Sequence, residues 1–121
     1  MSKRILLVED VEDNRQLVRD LIASAGYELI EAHDGQSGVL KAAQCKPDLI
    51  LMDIQLPVMD GYEAARRIKA IPELRATPII AVTSYALSGD EAKARDAGCD
   101  GYVAKPFSPR LLLAKIEEFM T

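Results

Sequence analysis

Leu49-Ile50-Leu51-Met52-Asp53 is four consecutive apolar residues followed by a carboxylate. The run does not alternate with polar residues and is too short for a buried helix, so it reads as a strand covered on both faces, at the centre of a parallel sheet. A second run, Ile5-Leu6-Leu7-Val8, ends in Glu9-Asp10. A third, Ile79-Ile80-Ala81-Val82, ends in Thr83, and a shorter one, Tyr102-Val103-Ala104, ends in Lys105-Pro106. If these strands are parallel, their C-terminal ends open on one crevice, the usual ligand position in an open α/β sheet. Two acids, a third acid, a hydroxyl and an ammonium then converge.

Helical periodicity fills the intervals. Leu17, Val18, Leu21, Ile22 and Ala25 mark one face of a first helix that Gly26 stops. Glu28 to Ala32 is mixed in polarity and reads as an edge strand. Asp34 caps a second helix carrying Val39, Leu40 and Ala43, and Pro47 forces an extended entry into the strand that follows. Asp60 and Glu63 have capping-box spacing for a third helix with Ala64, Ala65 and Ile68, ending before Pro72. Ser88 and Glu91 repeat that spacing for a fourth, closed by Gly98. Ser108-Pro109 opens a fifth, with Leu112, Leu113, Ile116, Phe119 and Met120 inward. The class is α/β, with five strands and five helices.

The 121 residues fit one domain. Fifteen basic against nineteen acidic residues leave a net charge of −4, which argues against direct nucleic-acid binding or attraction to anionic lipid. No apolar run spans a bilayer, and Met1-Ser2-Lys3-Arg4 leads into a strand rather than a signal peptide, so the expected location is cytoplasmic. Cys45 and Cys99 lack CxxC spacing and suit buried thiols in a reducing compartment. His33, the only histidine, has no metal-ligand partner in the pattern.

Magnesium takes one or two carboxylates, keeps several waters and accepts phosphate oxygens, and Glu9, Asp10 and Asp53 supply the right atoms. Asp10 is also placed to cap the first helix. Asp53 is not explained that way, because a loop, Ile54-Gln55-Leu56-Pro57-Val58-Met59-Asp60-Gly61, follows it. Three acids at adjoining strand ends repel one another unless a cation neutralises them. Thr83 and Lys105 add a hydroxyl and an ammonium, a donor set for a phosphoryl group. Pro106 after Lys105 is a candidate cis bond. There is no GxGxxG, GxxxxGK[ST] or GxSxG, and no histidine is placed as a base. An aspartate nucleophile taking a phosphoryl group with metal assistance remains.

A phosphohydrolase resembling the haloacid dehalogenase group normally carries a second acid two residues after its nucleophile. Gln55 stands there, which disfavours that enzyme. The combined pattern of Glu9-Asp10, Asp53-Ile-Gln-Leu-Pro57-Val-Met-Asp60-Gly61, Thr83-Ser84 and Tyr102-Val-Ala-Lys105-Pro106-Phe107 resembles the receiver domain of two-component response regulators across the whole chain. The resemblance implies a flavodoxin-like three-layer sandwich with strand order 2-1-3-4-5. It implies phosphorylation at Asp53, with magnesium or manganese held by Glu9, Asp10, Asp53 and the backbone carbonyl of Gln55. Thr83 and Lys105 would contact the phosphoryl group, and Thr83 and Tyr102 would carry the switch. Ser84 departs from the commoner Ala or Gly. Implied partners are a sensor histidine kinase or histidine phosphotransfer protein, a downstream target, and a second copy through the face of helix 4, strand 5 and helix 5. The expectation is a stand-alone receiver over residues 1–121 with no output domain, a non-enzymatic phosphoacceptor. An excised piece of a longer regulator or hybrid kinase is the alternative.

Overall fold

The structure is a computed structural model and describes residues 3–84 and 90–120. Along the chain run β1 (Arg4–Val8), α1 (Glu12–Ser24), β2 (Glu28–Ala32), α2 (Gly35–Cys45), β3 (Leu49–Asp53), α3 (Gly61–Lys69), a 3-10 turn (Pro72–Leu74), β4 (Ile79–Thr83), α4 (Asp90–Asp96), β5 (Gly101–Ala104) and α5 (Pro109–Met120). The five strands are parallel in the order β2-β1-β3-β4-β5. This is the expected flavodoxin-like sandwich. β3 is central and buried at every residue, whereas β2 lies at an edge. Among the described residues no helix is long and apolar enough to cross a membrane.

Strand side chains alternate between the two faces. Leu6, Val8, Ile50, Met52, Ile79 and Ala81 join Ala42, Ala64, Ile68 and Ala94 in the core under α2, α3 and α4. Ile5, Leu7, Leu49, Leu51 and Ile80 join Val18, Ile22, Leu112 and Ile116 under α1 and α5. Three helix starts carry the expected cap. Asp34 accepts the Ser37 N–H at 2.7 Å, Asp60 the Glu63 N–H at 2.9 Å, and Ser108 Oγ the Leu111 N–H at 3.1 Å. Glu63 does not complete a capping box; its carboxylate takes the Arg67 Nε–H at 2.9 Å. Ser88 lies outside the described residues. Gly26 and Gly98 close α1 and α4 at φ +85° and +100°.

Two helix faces differ from expectation. Leu17 is 48% exposed, and Val18 and Ile22 alone are fully buried in α1. In α2 Val39 packs against the core as expected, but the buried residues are Gly35, Gly38 and Ala42, while Leu40 and Ala43 face out. Gly38 explains the rotation: a Cβ there would stand 2.8 Å from Val8 Cγ2, so α2 lies against β1 on its glycines. Asp10 does not cap α1. The cap position is Val11, with no side-chain bond.

Gly61 lets α3 begin directly beneath the end of β3. Its N–H donates to the Ile54 carbonyl at 3.0 Å, and a Cβ would stand 2.3 Å from the Asp53 carbonyl oxygen. Backbone cannot yield as a flexible side chain can, so Gly61→Ala should lose about 2 kcal/mol of stability, read as a lower urea midpoint at unchanged slope.

Candidate functional site

Register brings the acids together. Val8 pairs with Met52, so Glu9 and Asp53 follow side by side at the ends of adjacent strands. Asp53 pairs with Val82, which puts Thr83 one residue beyond, and the Lys105 N–H donates to the Thr83 carbonyl at 2.7 Å. Glu9 and Asp53 are each only 3% exposed and Thr83 is fully buried, whereas Asp10 is exposed. One carboxylate oxygen each of Glu9, Asp10 and Asp53 lies within 4.8 Å of the others. Lys105 Nζ donates to Glu9 Oε1 at 3.0 Å and to Asp53 Oδ2 at 3.2 Å. The Gln55 N–H donates to Asp53 Oδ1 at 3.0 Å, and the Val11 N–H to Glu9 Oε2 at 3.1 Å.

These contacts separate the two buried acids electrostatically. Burial and then the neighbouring Glu9 charge raise the Asp53 carboxyl to about 6, against the pull of Lys105 and the Gln55 N–H. Burial pushes Glu9 up as well, but hydrogen bonds from Lys105 and Val11 outweigh it and hold that carboxyl below its ordinary value. Lys105 loses hydration, yet Glu9 and Asp53 raise its pKa. Lys105 is the cation that lets two carboxylates share the crevice. Hard oxygen donors at this spacing, with one exposed carboxylate and adjoining solvent, fit a magnesium ion. A cavity of about 360 Å³ adjoins them under α1 and α5, walled by Leu17, Leu51, Phe107 and Leu112.

The structure therefore brings Glu9, Asp10, Asp53 and Lys105 together at the strand ends, and register sets Thr83 at the neighbouring end of β4. The Lys105-Pro106 peptide, a candidate cis bond from the sequence, is cis. Tyr102 is half-buried on β5 against the core under α2, α3 and α4. His33 is exposed after β2. Cys45 and Cys99 are free, and burial, then the Asp100 charge, pushes the Cys99 thiol up to about 12. Sequence reasoning missed the Gln55 side chain. Its Oε1 accepts the Ser84 N–H at 3.3 Å and also the Ser84 hydroxyl, bridging the loops after β3 and β4. A contact between residues so far apart in sequence has no local spacing signature.

The chain matches the response regulator receiver domain family over residues 5–117. It is 43% identical over 120 residues to the polar-differentiation response regulator DivK of Brucella anthropi, covering 99% of this chain and 98% of that protein, and the DivK of Brucella ovis matches equally. Among solved structures, the chemotaxis response regulator CheY4 of Vibrio cholerae superposes with a TM-score of 0.93 at 29% identity, over 98% of this chain and 99% of that one. The receiver domain of the sensor histidine kinase PA1611 of Pseudomonas aeruginosa, which holds a magnesium ion in its active-site cleft, gives 0.92 at 39% identity over 99% and 98% of the two chains. With the fold, the acid crevice and the matched family in agreement, this chain belongs to the response regulator receiver domains, the phosphorylation-activated switches of two-component signalling.

Proposed function

We propose that Asp53 is the phosphoacceptor, taking its phosphoryl group from a phosphohistidine of a sensor kinase or histidine phosphotransfer protein. The observation that carries this is the Asp53 carboxylate itself, buried at the end of β3 and touched by Lys105. A carboxylate oxygen bonds to phosphorus as the donor's P–N bond breaks, and the imidazole leaves with the electron pair. Asp10, Asp53 and the Gln55 carbonyl, with Glu9 alongside, would hold the magnesium or manganese ion, which supplies charge neutralisation for the phosphoryl oxygens. Lys105 supplies a second cation, and its ammonium can transfer from the carboxylates to the phosphoryl group. The chain assists only its own phosphotransfer and dephosphorylation.

Switching runs through Thr83, at the end of β4, and Tyr102 on β5. A phosphoryl group biases a segment only by binding one arrangement better, and the Thr83 hydroxyl is the donor for that arrangement. The output surface is α4, β5 and α5, which meets a target or a second copy. Arg95, 74% exposed on its side chain and paired with Glu91, belongs to that face. Arg95→Glu should weaken partner binding and leave Asp53 labelling unchanged, because rim charges set association rate and partner choice. The DivK relatives favour a regulator of that kind; the PA1611 receiver favours the alternative, a module of a hybrid kinase.

Incubation with acetyl phosphate and magnesium should add one phosphoryl group to the chain by intact mass, and none to Asp53→Asn. The same mass gain on the variant would refute the assignment. Asp10→Ala should weaken magnesium binding by more than the roughly tenfold of a lost outer-shell partner, read by calorimetric titration.

A further inference from the structure

We propose that Arg15 is a positioning residue for the metal site: it grips the main chain beside Asp10 and presets the direction of that carboxylate. This rests on the reading of Asp10 as a magnesium ligand.

Asp10 is the exposed member of the acid cluster, so packing does not orient it. Its two flanking peptides are held instead. On one side, Arg15 Nη1 donates to the Glu9 carbonyl oxygen at 2.8 Å. On the other, the Val11 N–H donates to Glu9 Oε2 at 3.1 Å. The Glu9 N–H is itself tied to the Ala32 carbonyl at 3.0 Å, at the end of β2. With both peptides fixed, the Cα–Cβ direction of Asp10 is set before any ion arrives. Preorganised ligands bind more tightly because less ordering remains to be done on binding.

Arg15 can do this because it is held in turn. Its side chain is 16% exposed, its Nη2 pairs with Glu12, and its Nε lies 3.5 Å from Glu31 Oε1 on β2. One planar guanidinium thus spans the start of α1 and the C-terminal ends of β2 and β1. An ammonium reaches one of these groups without the fixed fork. Neighbouring Arg19 shares Glu12 and Glu31, with Nη2 distances of 3.3 and 2.7 Å, but has no bond to Glu9. It serves as an internal control.

The sign of the effect separates positioning from charge. If Arg15 acted only as a cation near an acidic cluster, removing it would tighten magnesium binding. If it positions Asp10, removal loosens binding despite the relieved repulsion. Magnesium affinity is measured by calorimetric titration on Arg15→Met, Arg15→Lys, Arg19→Met, Asp10→Ala and the double variant Arg15→Met/Asp10→Ala, with a thermal melt of each. Arg15→Met should bind magnesium roughly tenfold more weakly, the scale of an outer-shell partner. Arg15→Lys, which keeps the charge and one donor, should lose less, and Arg19→Met should match the parent. The double variant should bind no more weakly than Asp10→Ala, since Arg15 acts through Asp10. Unchanged or tighter binding by Arg15→Met, or an equal loss in Arg19→Met, overturns the proposal, as does a further loss in the double variant. If Arg15→Met does not fold, Arg15→Lys matching the parent overturns it. Asp10→Ala binding as the parent does would remove the ligand assignment and this proposal with it, whereas a loss in Asp10→Ala beside an unaffected Arg15→Met removes the positioning role alone.

Discussion

Lys105→Met should lose about 3 kcal/mol of stability at pH 7.5 in the absence of magnesium, the scale of stripping one partner from a buried ion pair. The Lys105 ammonium bridges Glu9 and Asp53, which are only 3% exposed, and its loss leaves two carboxylates facing each other. Because Lys105 titrates above its ordinary value of 10.5, its contribution is fully present at pH 7.5 and is lost only as the pH rises beyond that value. The loss should shrink toward pH 5. There Asp53, already titrating at about 6 with the lysine present, takes up a proton and the repulsion ends. Urea melts at the two pH values read the effect; an equal loss at both would contradict the charge-cluster account.

Asp53→Asn should do the opposite and stabilise the magnesium-free protein. The folded carboxyl titrates at about 6 against an ordinary 3.8, so the folded state binds more protons between those values and stability falls as the pH rises through them. Above about pH 6 the full penalty applies, about 3 kcal/mol at roughly 1.4 kcal/mol per pH unit. The asparagine removes it. Its melting temperature should exceed the parent's at pH 7.5 and converge with it near pH 4. Magnesium should raise the parent's melting temperature more than the variant's, because the variant lacks one of the proposed ligands.

The strands were legible because burial on both faces leaves an unbroken apolar run, as in Leu49 to Met52, and strand ends then located the acids, Thr83 and Lys105. Caps at Asp34, Asp60 and Ser108 were legible for a local reason: the bonded groups lie three residues apart. The face of α2 was not, since glycine carries no hydrophobic signal and the close approach of Gly38 to Val8 is set by packing. Leu17 misled for the complementary reason: an apolar residue on a helix need not be buried. The Gln55–Ser84 bridge and the grip of Arg15 on the Glu9 carbonyl are tertiary hydrogen bonds, one to a side chain and one to backbone. Neither has a periodicity to read.

Borohydride reduces an aspartyl phosphate to homoserine and leaves an unmodified carboxylate intact, so it marks the acceptor itself. After phosphorylation by acetyl phosphate with magnesium and reduction, peptide mass spectrometry should find homoserine at position 53 and aspartate unchanged at positions 10 and 60. Homoserine at another acid, with position 53 unmodified, would contradict the account.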